Sequence, residues 1–252
     1  MATNKITFRG LQTEDYAHPS EKIFSERINL DKLADENFQQ LDSGTELNQQ
    51  IAPEIFDNVQ EVCDILDYPN MPKVFVRNDT CATVLVNGDN ISITERFIKE
   101  FDKQMKKFFF GKAVSMIKGG QSRFTMINCQ NLSASTIMNL QAYLRAVNLS
   151  SDRGGLLCCQ NFTAAAHCIL VEEGLSLSYL KTLSGKEISQ LAKNYLEQAN
   201  EITSERQSGA ASLFKPISGN REPAPIRFTE LLTWYFGDDY AKILSSAVAI
   251  NN

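Results

Sequence analysis

The sequence predicts an α+β protein, mostly helical, with one small antiparallel sheet at about residues 73–94. Two observations carry this. Long stretches repeat apolar residues at helical spacing, as in "APEIFDNVQEVCDILDYP", where Ile55, Val59, Val62, Cys63 and Leu66 share one face. Between them, "KVFVRN", "CATVLVNG" and "NISITERF" are short and rich in β-branched residues, with Asp79-Thr80 and Asn87-Gly88-Asp89 as turn signals.

Taken in order, residues 20–47 read as one or two short helices, with Ile23, Ile28, Leu30, Leu33 and Phe38 at mixed helical spacings. The next helix has Pro53 in its first turn and ends before Pro69. After about three strands, "ERFIKEFDKQMKKFFFGKAVSMIKGG" reads as two helices with a break near Phe101-Asp102. A long apolar helical region follows, with capping residues at Asn131–Ser133. Ser184 precedes an amphipathic helix, and residues 204–225, polar with Gly and Pro, predict a mobile loop. One or two helices from "IRFTELLTWYFGDDYAKILSSA" close the chain. A single domain over 1–252 is expected.

The 252 residues are 43% hydrophobic and 22% charged, enough to bury a core without metal or disulfide staples. The net charge of -5, with scattered Lys and Arg, offers no basic face for nucleic acid. No apolar run approaches the ~18 residues of a membrane span, and "MATNKITFRG" lacks a signal-peptide core. Six cysteines without regular spacing fit a reducing cytoplasm, so a cytoplasmic location is expected. Cys158 and Cys159 are adjacent and are expected as free thiols.

The chain has two histidines, His18 and His167, about 149 positions apart. A helical zinc-peptidase site needs two at i and i+4, so that both imidazoles reach one metal. Both histidines are therefore expected to be structural. Cys158, Cys159, His167 and Cys168 lack ligand spacing and read as small core residues. Glu172-Glu173, before Gly174, reads as a helix end in solvent. No phosphate loop, dinucleotide fingerprint or "GxSxG" elbow is present.

Several segments in order resemble the soluble, HtpX-like zinc metallopeptidases, the family that includes the CAAX prenyl proteases. "LQTEDYAHPSEK" looks like their "DYxHPxD", and "LDYPNMPKVFV" like their "LDxPxxPxxYV". "VLVNGDNISITERFIKEFD" is similar to their strand and following helix. "LSSDRGGLLCCQNFTAAAHCILVEEGL" resembles "ExSxDRAGLLxCQDxxAAxxALxKLAGG", and "APIRFTELLTWYFGDDYAKIL" resembles "PxxRxxELLxWxxSxEYxxIL". The resemblance runs over nearly the whole chain and implies a zincin-like fold, with the substrate cleft between the sheet edge and the zinc helix.

Where the family has "GHELGHIKxG", this chain has "GKAVSMIKGG". By that match the first zinc histidine falls on Lys112, the general-base glutamate on Ala113 and the second histidine on Met116. The third ligand, a glutamate, falls on Asn148. Asp152, which in the family supports a metal-binding histidine, is kept, together with Arg153. An ammonium, a methyl, a neutral thioether and a carboxamide supply neither a dication site nor a base. No metal and no cofactor are therefore expected. The expected function is that of an inactive metallopeptidase homologue that binds a protein or peptide partner. Lys112 is expected to pair with Asp152 in place of the metal. The alternative is a hydrolase with a non-standard site around Lys112, Ser115 and Asp152.

Overall fold

The computed structural model describes residues 5–37, 44–78, 84–207 and 221–250. It is mostly helical with a small mixed sheet. The helices are α1 (Pro19–Ser25), α2 (Leu30–Asn37), α3 (Pro53–Ile65), α4 (Glu95–Glu100), α5 (Lys103–Lys118) and α6 (Ala134–Cys159). They continue as α7 (Phe162–Glu172), α8 (Leu177–Leu180), α9 (Gly185–Gln207), α10 (Ala224–Tyr235) and α11 (Asp238–Ser245). The strands are β1 (Lys5–Thr7), β2 (Thr45–Glu46), β3 (Lys73–Arg77), β4 (Leu85–Asn87), β5 (Asn90–Thr94) and β6 (Val248–Ile250).

The sheet corrects the expectation that it is antiparallel throughout. Its order is β2-β3-β5-β4, and β3 runs parallel to β5. Only the β4–β5 hairpin, turned at Gly88, and the β2–β3 pair are antiparallel. The hairpin is local, and its turn residues announce it. The β3–β5 pairing is not local, and β-branched composition carries no strand direction. A two-stranded sheet, β1 with β6, joins the two ends of the chain.

Capping residues set most of the helix boundaries. Thr94 accepts from the Phe97 amide at the start of α4, and Asp102 accepts from the Met105 amide at the start of α5. Asp102 therefore sits at the expected break. Ser133 caps α6 and Asn161 caps α7. At the ends of the expected 204–225 loop, residues 204–207 belong instead to α9 and Ala224 begins α10. Residues 208–220 lie outside the described residues, as do residues 81–83 of the expected strand at Cys81–Val86.

The core gathers around α5. Phe108, Phe109, Phe110, Ala113, Val114 and Ile117 are all buried, and Phe97, Phe101 and Phe109 meet edge to face or tilted. Helix α6 packs directly on α5, through glycines. A Cβ at Gly155 would lie 2.8 Å from the Phe108 carbonyl oxygen and 3.0 Å from Lys112 Cγ, and one at Gly111 would lie 2.9 Å from Gly155 Cα. Gly155→Ala is therefore expected to cost about 2 kcal/mol by overpacking. Urea unfolding checks this, and an unchanged midpoint would show that the helices can part freely. The close approach brings Lys112 of α5 against Asp152 of α6.

Candidate functional site

Lys112 reaches across the helix interface and donates to two carboxylates. Its Nζ lies 2.5 Å from Asp152 Oδ1 and 2.9 Å from Glu172 Oε2. Arg227, on α10, comes from the other side. Its Nε and Nη2 form a fork on Asp152, 2.8 Å each, and Nη2 also donates to Glu172 Oε2 at 2.5 Å. Arg227 is fully buried, and the side chains of Asp152 and Glu172 are 1% and 3% exposed. Two cations and two carboxylates thus form a closed buried cluster. Arg221 touches its edge, 3.5 Å from Glu172 Oε1.

The cluster sets the charge of its members. Burial alone would raise the Glu172 carboxyl. Lys112, Arg227 and Arg221 outweigh burial and hold it well below the usual carboxylate range. Burial would likewise lower Arg227, but Asp152 and Glu172 hold its guanidinium above its ordinary value.

Above the cluster lies a cavity of about 260 Å³. Lys112, Ala113 and Met116 of α5 and Asn148 of α6 all line it, and β4 with Thr125 and Met126 forms the opposite wall. All four positions where the resemblance puts zinc ligands and base therefore share one cavity, with Asp152 beneath. Arg153 is not brought there. Its Nη1 donates to the Ala17 carbonyl at 3.0 Å, and its guanidinium lies over Trp234. Nor does Ser115 join Lys112 Nζ, because its hydroxyl donates to the Lys112 backbone carbonyl at 2.8 Å.

Residues at the zinc positions do not fit a dication. The position of the first histidine holds an ammonium already seated on Asp152, and Ala113 and Met116 offer a methyl and a thioether. Among the described residues, no three His, Cys, Asp or Glu side chains are grouped to hold a metal ion.

The expectation that Glu172 and Glu173 form a solvated helix end fails for Glu172. Its side chain turns inward, because it continues the stripe Ala165, Cys168, Ile169 at i+7, i+4 and i+3. Glu173 points outward and lies 3.8 Å from Arg227 Nη1. The sequence reading also missed Arg227, although an arginine between Ala224, Ile226, Phe228 and Leu231, all buried, was a signal. The histidines are elsewhere. His18 caps α1 by accepting from the Ser20 amide and pairs with Glu230 at 3.1 Å, and burial lowers His167. Among the described residues, all five cysteines are free.

Among the described residues, no helix is long and apolar enough to cross a membrane. In comparisons with known protein families, curated proteins and solved structures, nothing matches the chain.

Proposed function

We propose that this chain is a catalytically inactive relative of the HtpX-like metallopeptidases, with a zincin-like fold, kept as a peptide- or protein-binding component. The observation that carries the reading is the Lys112 ammonium, seated between Asp152 and Glu172 on the inner side of the cavity. A cation of the chain's own occupies the electrostatic place that the resemblance gives to zinc. Ala113 beside it has no proton acceptor, so no base stands ready to activate water.

A binding role is supported by the cavity itself, which lies between the β4 strand and α5 and is lined by Val86, Phe109, Met116 and Leu144 among others. Thr125 Oγ1 gives its one proton to the Ser122 carbonyl at 2.7 Å and lies 3.4 Å from the Val86 carbonyl, so it is no strong competitor for an incoming strand at that carbonyl. The hydrolase alternative has less support. A nucleophilic serine needs a free base, whereas Lys112 Nζ donates to two carboxylates and the Ser115 hydroxyl is turned to a backbone carbonyl.

Purified protein is expected to carry no stoichiometric zinc, and a chelator is expected to leave its Tm unchanged. Tightly held zinc at about one per chain by elemental analysis would overturn the inactive reading. For binding, Leu85 is exposed on β4 at the cavity, so Leu85→Glu leaves the core intact. A pull-down from native extract should lose its partner with this variant. Equal recovery from both proteins would remove the cleft from the account.

A further inference from the structure

Among the described residues, the side-chain carbonyl of Asn148 has no hydrogen-bond partner. Its Oδ1 is buried and unpaired, the residue is 8% exposed, and it lines the cavity. A carboxamide offers an acceptor and two N–H donors, the complement of the N–H and C=O of a peptide unit. Leaving it unmet in the folded state is unfavourable, so a ligand that meets it gains.

Arg221 lines the same cavity, with its side chain 38% exposed. A guanidinium has five N–H donors, and among the described residues Arg221 spends them on one 3.5 Å ion contact to Glu172. The remaining donors fit the fork geometry that a carboxylate accepts. Between Asn148 and Arg221 the lining includes the apolar side chains of Phe109, Met116, Met126 and Leu144. About 260 Å³ is less than a drug-sized ligand needs, and suits one large apolar side chain with its backbone.

We infer that the cavity takes an apolar side chain of an extended peptide, whose backbone amide pairs with Asn148 and whose neighbouring Asp or Glu carboxylate pairs with Arg221. This rests on the peptide-binding reading above and adds its specificity. Asn148 reads the backbone, the apolar lining reads size, and Arg221 reads charge. The carboxylate belongs to a side chain, so the peptide runs on past the cavity at both ends.

Three pools of N-acetylated, C-amidated hexapeptides test this on the immobilised full chain, with retained peptides counted by mass spectrometry. Each pool has a central Leu or Phe flanked by Asp/Glu, by Asn/Gln or by Lys. The acidic pool is expected to be retained about tenfold more than the neutral one. Arg221→Glu, at a half-exposed position, should reverse the order in favour of the lysine pool. Asn148→Leu should lower retention of all pools about tenfold without lowering the Tm, since it removes an unmet buried amide. Equal retention of the three pools, an order unchanged by Arg221→Glu, or full retention by Asn148→Leu would overturn the inference and leave peptide binding standing. Retention of uncapped peptides alone would move the carboxylate to a chain end and would also overturn it. If no pool is retained, capped or uncapped, the peptide reading itself falls.

Discussion

Arg227→Met is expected to destabilise the protein by about 4–5 kcal/mol, the largest loss among the substitutions considered. Arg227 is fully buried and gives Asp152 a two-pronged hydrogen bond and Glu172 a third. Without it, two carboxylates with side chains 1% and 3% exposed keep one buried cation, Lys112, and the partly exposed Arg221 at the edge of the cluster, 3.5 Å from Glu172. Little water reaches side chains this buried, so the cost is that of an under-compensated buried charge. Arg227→Lys should rescue only part of the loss, because one ammonium cannot reproduce the fork. Urea unfolding at neutral pH measures both. A wild-type midpoint for Arg227→Met would show that the cluster contributes nothing to stability.

The same substitution has a pH signature. In the folded protein the Glu172 carboxyl is held well below its ordinary value of 4.5. The unfolded chain therefore binds more protons than the folded one in the window between the two values. This contribution to stability is fully present above the ordinary value and is lost as pH falls through the depressed one. Removing Arg227 lets the Glu172 carboxyl rise, so the variant's stability should fall less steeply with acid below about pH 4.5. Parallel acid limbs in the two proteins would contradict this.

The helices and the cavity were legible in the sequence to different degrees, for physical reasons. Capping and periodicity are local, so the break at Asp102 and the start of α6 after Ser133 could be read directly. The pairing of Lys112 with Asp152, 40 positions apart, depends on their two helices meeting at Gly111 and Gly155, and only the resemblance suggested it. Glu172 was misread because two adjacent glutamates before a glycine look like a solvated end. Its place on the Ala165–Cys168–Ile169 stripe, a periodic signal, pointed inward. The parallel pairing of β3 with β5 was not legible, because β4 lies between them in sequence and β-branched composition carries no strand direction. The unpaired amide of Asn148 was invisible for a related reason: what a polar side chain fails to touch is a property of the packed interior.

Lys112→Met is expected to cost about 3 kcal/mol, less than the loss of Arg227, because it removes two hydrogen bonds where Arg227 makes three. Asp152→Asn should cost a similar amount, since it leaves Lys112 and Arg227 facing Glu172 alone. The double variant is the informative one. With Lys112 and Asp152 both neutral, Arg227 and Glu172 remain as a balanced pair, 2.5 Å apart, and the uncompensated charge of each single variant disappears. The double variant should therefore lose less than the sum of the two, by about 1–3 kcal/mol. Strict additivity in urea unfolding would mean that the ammonium and the carboxylate do not interact, and the reading of Lys112 as the chain's own replacement for a metal would fall with it. A coupling of the expected size has a further consequence for the cavity. The ammonium would then be tied to the cluster beneath it, which leaves recognition of any ligand to the groups above, Asn148 and Arg221.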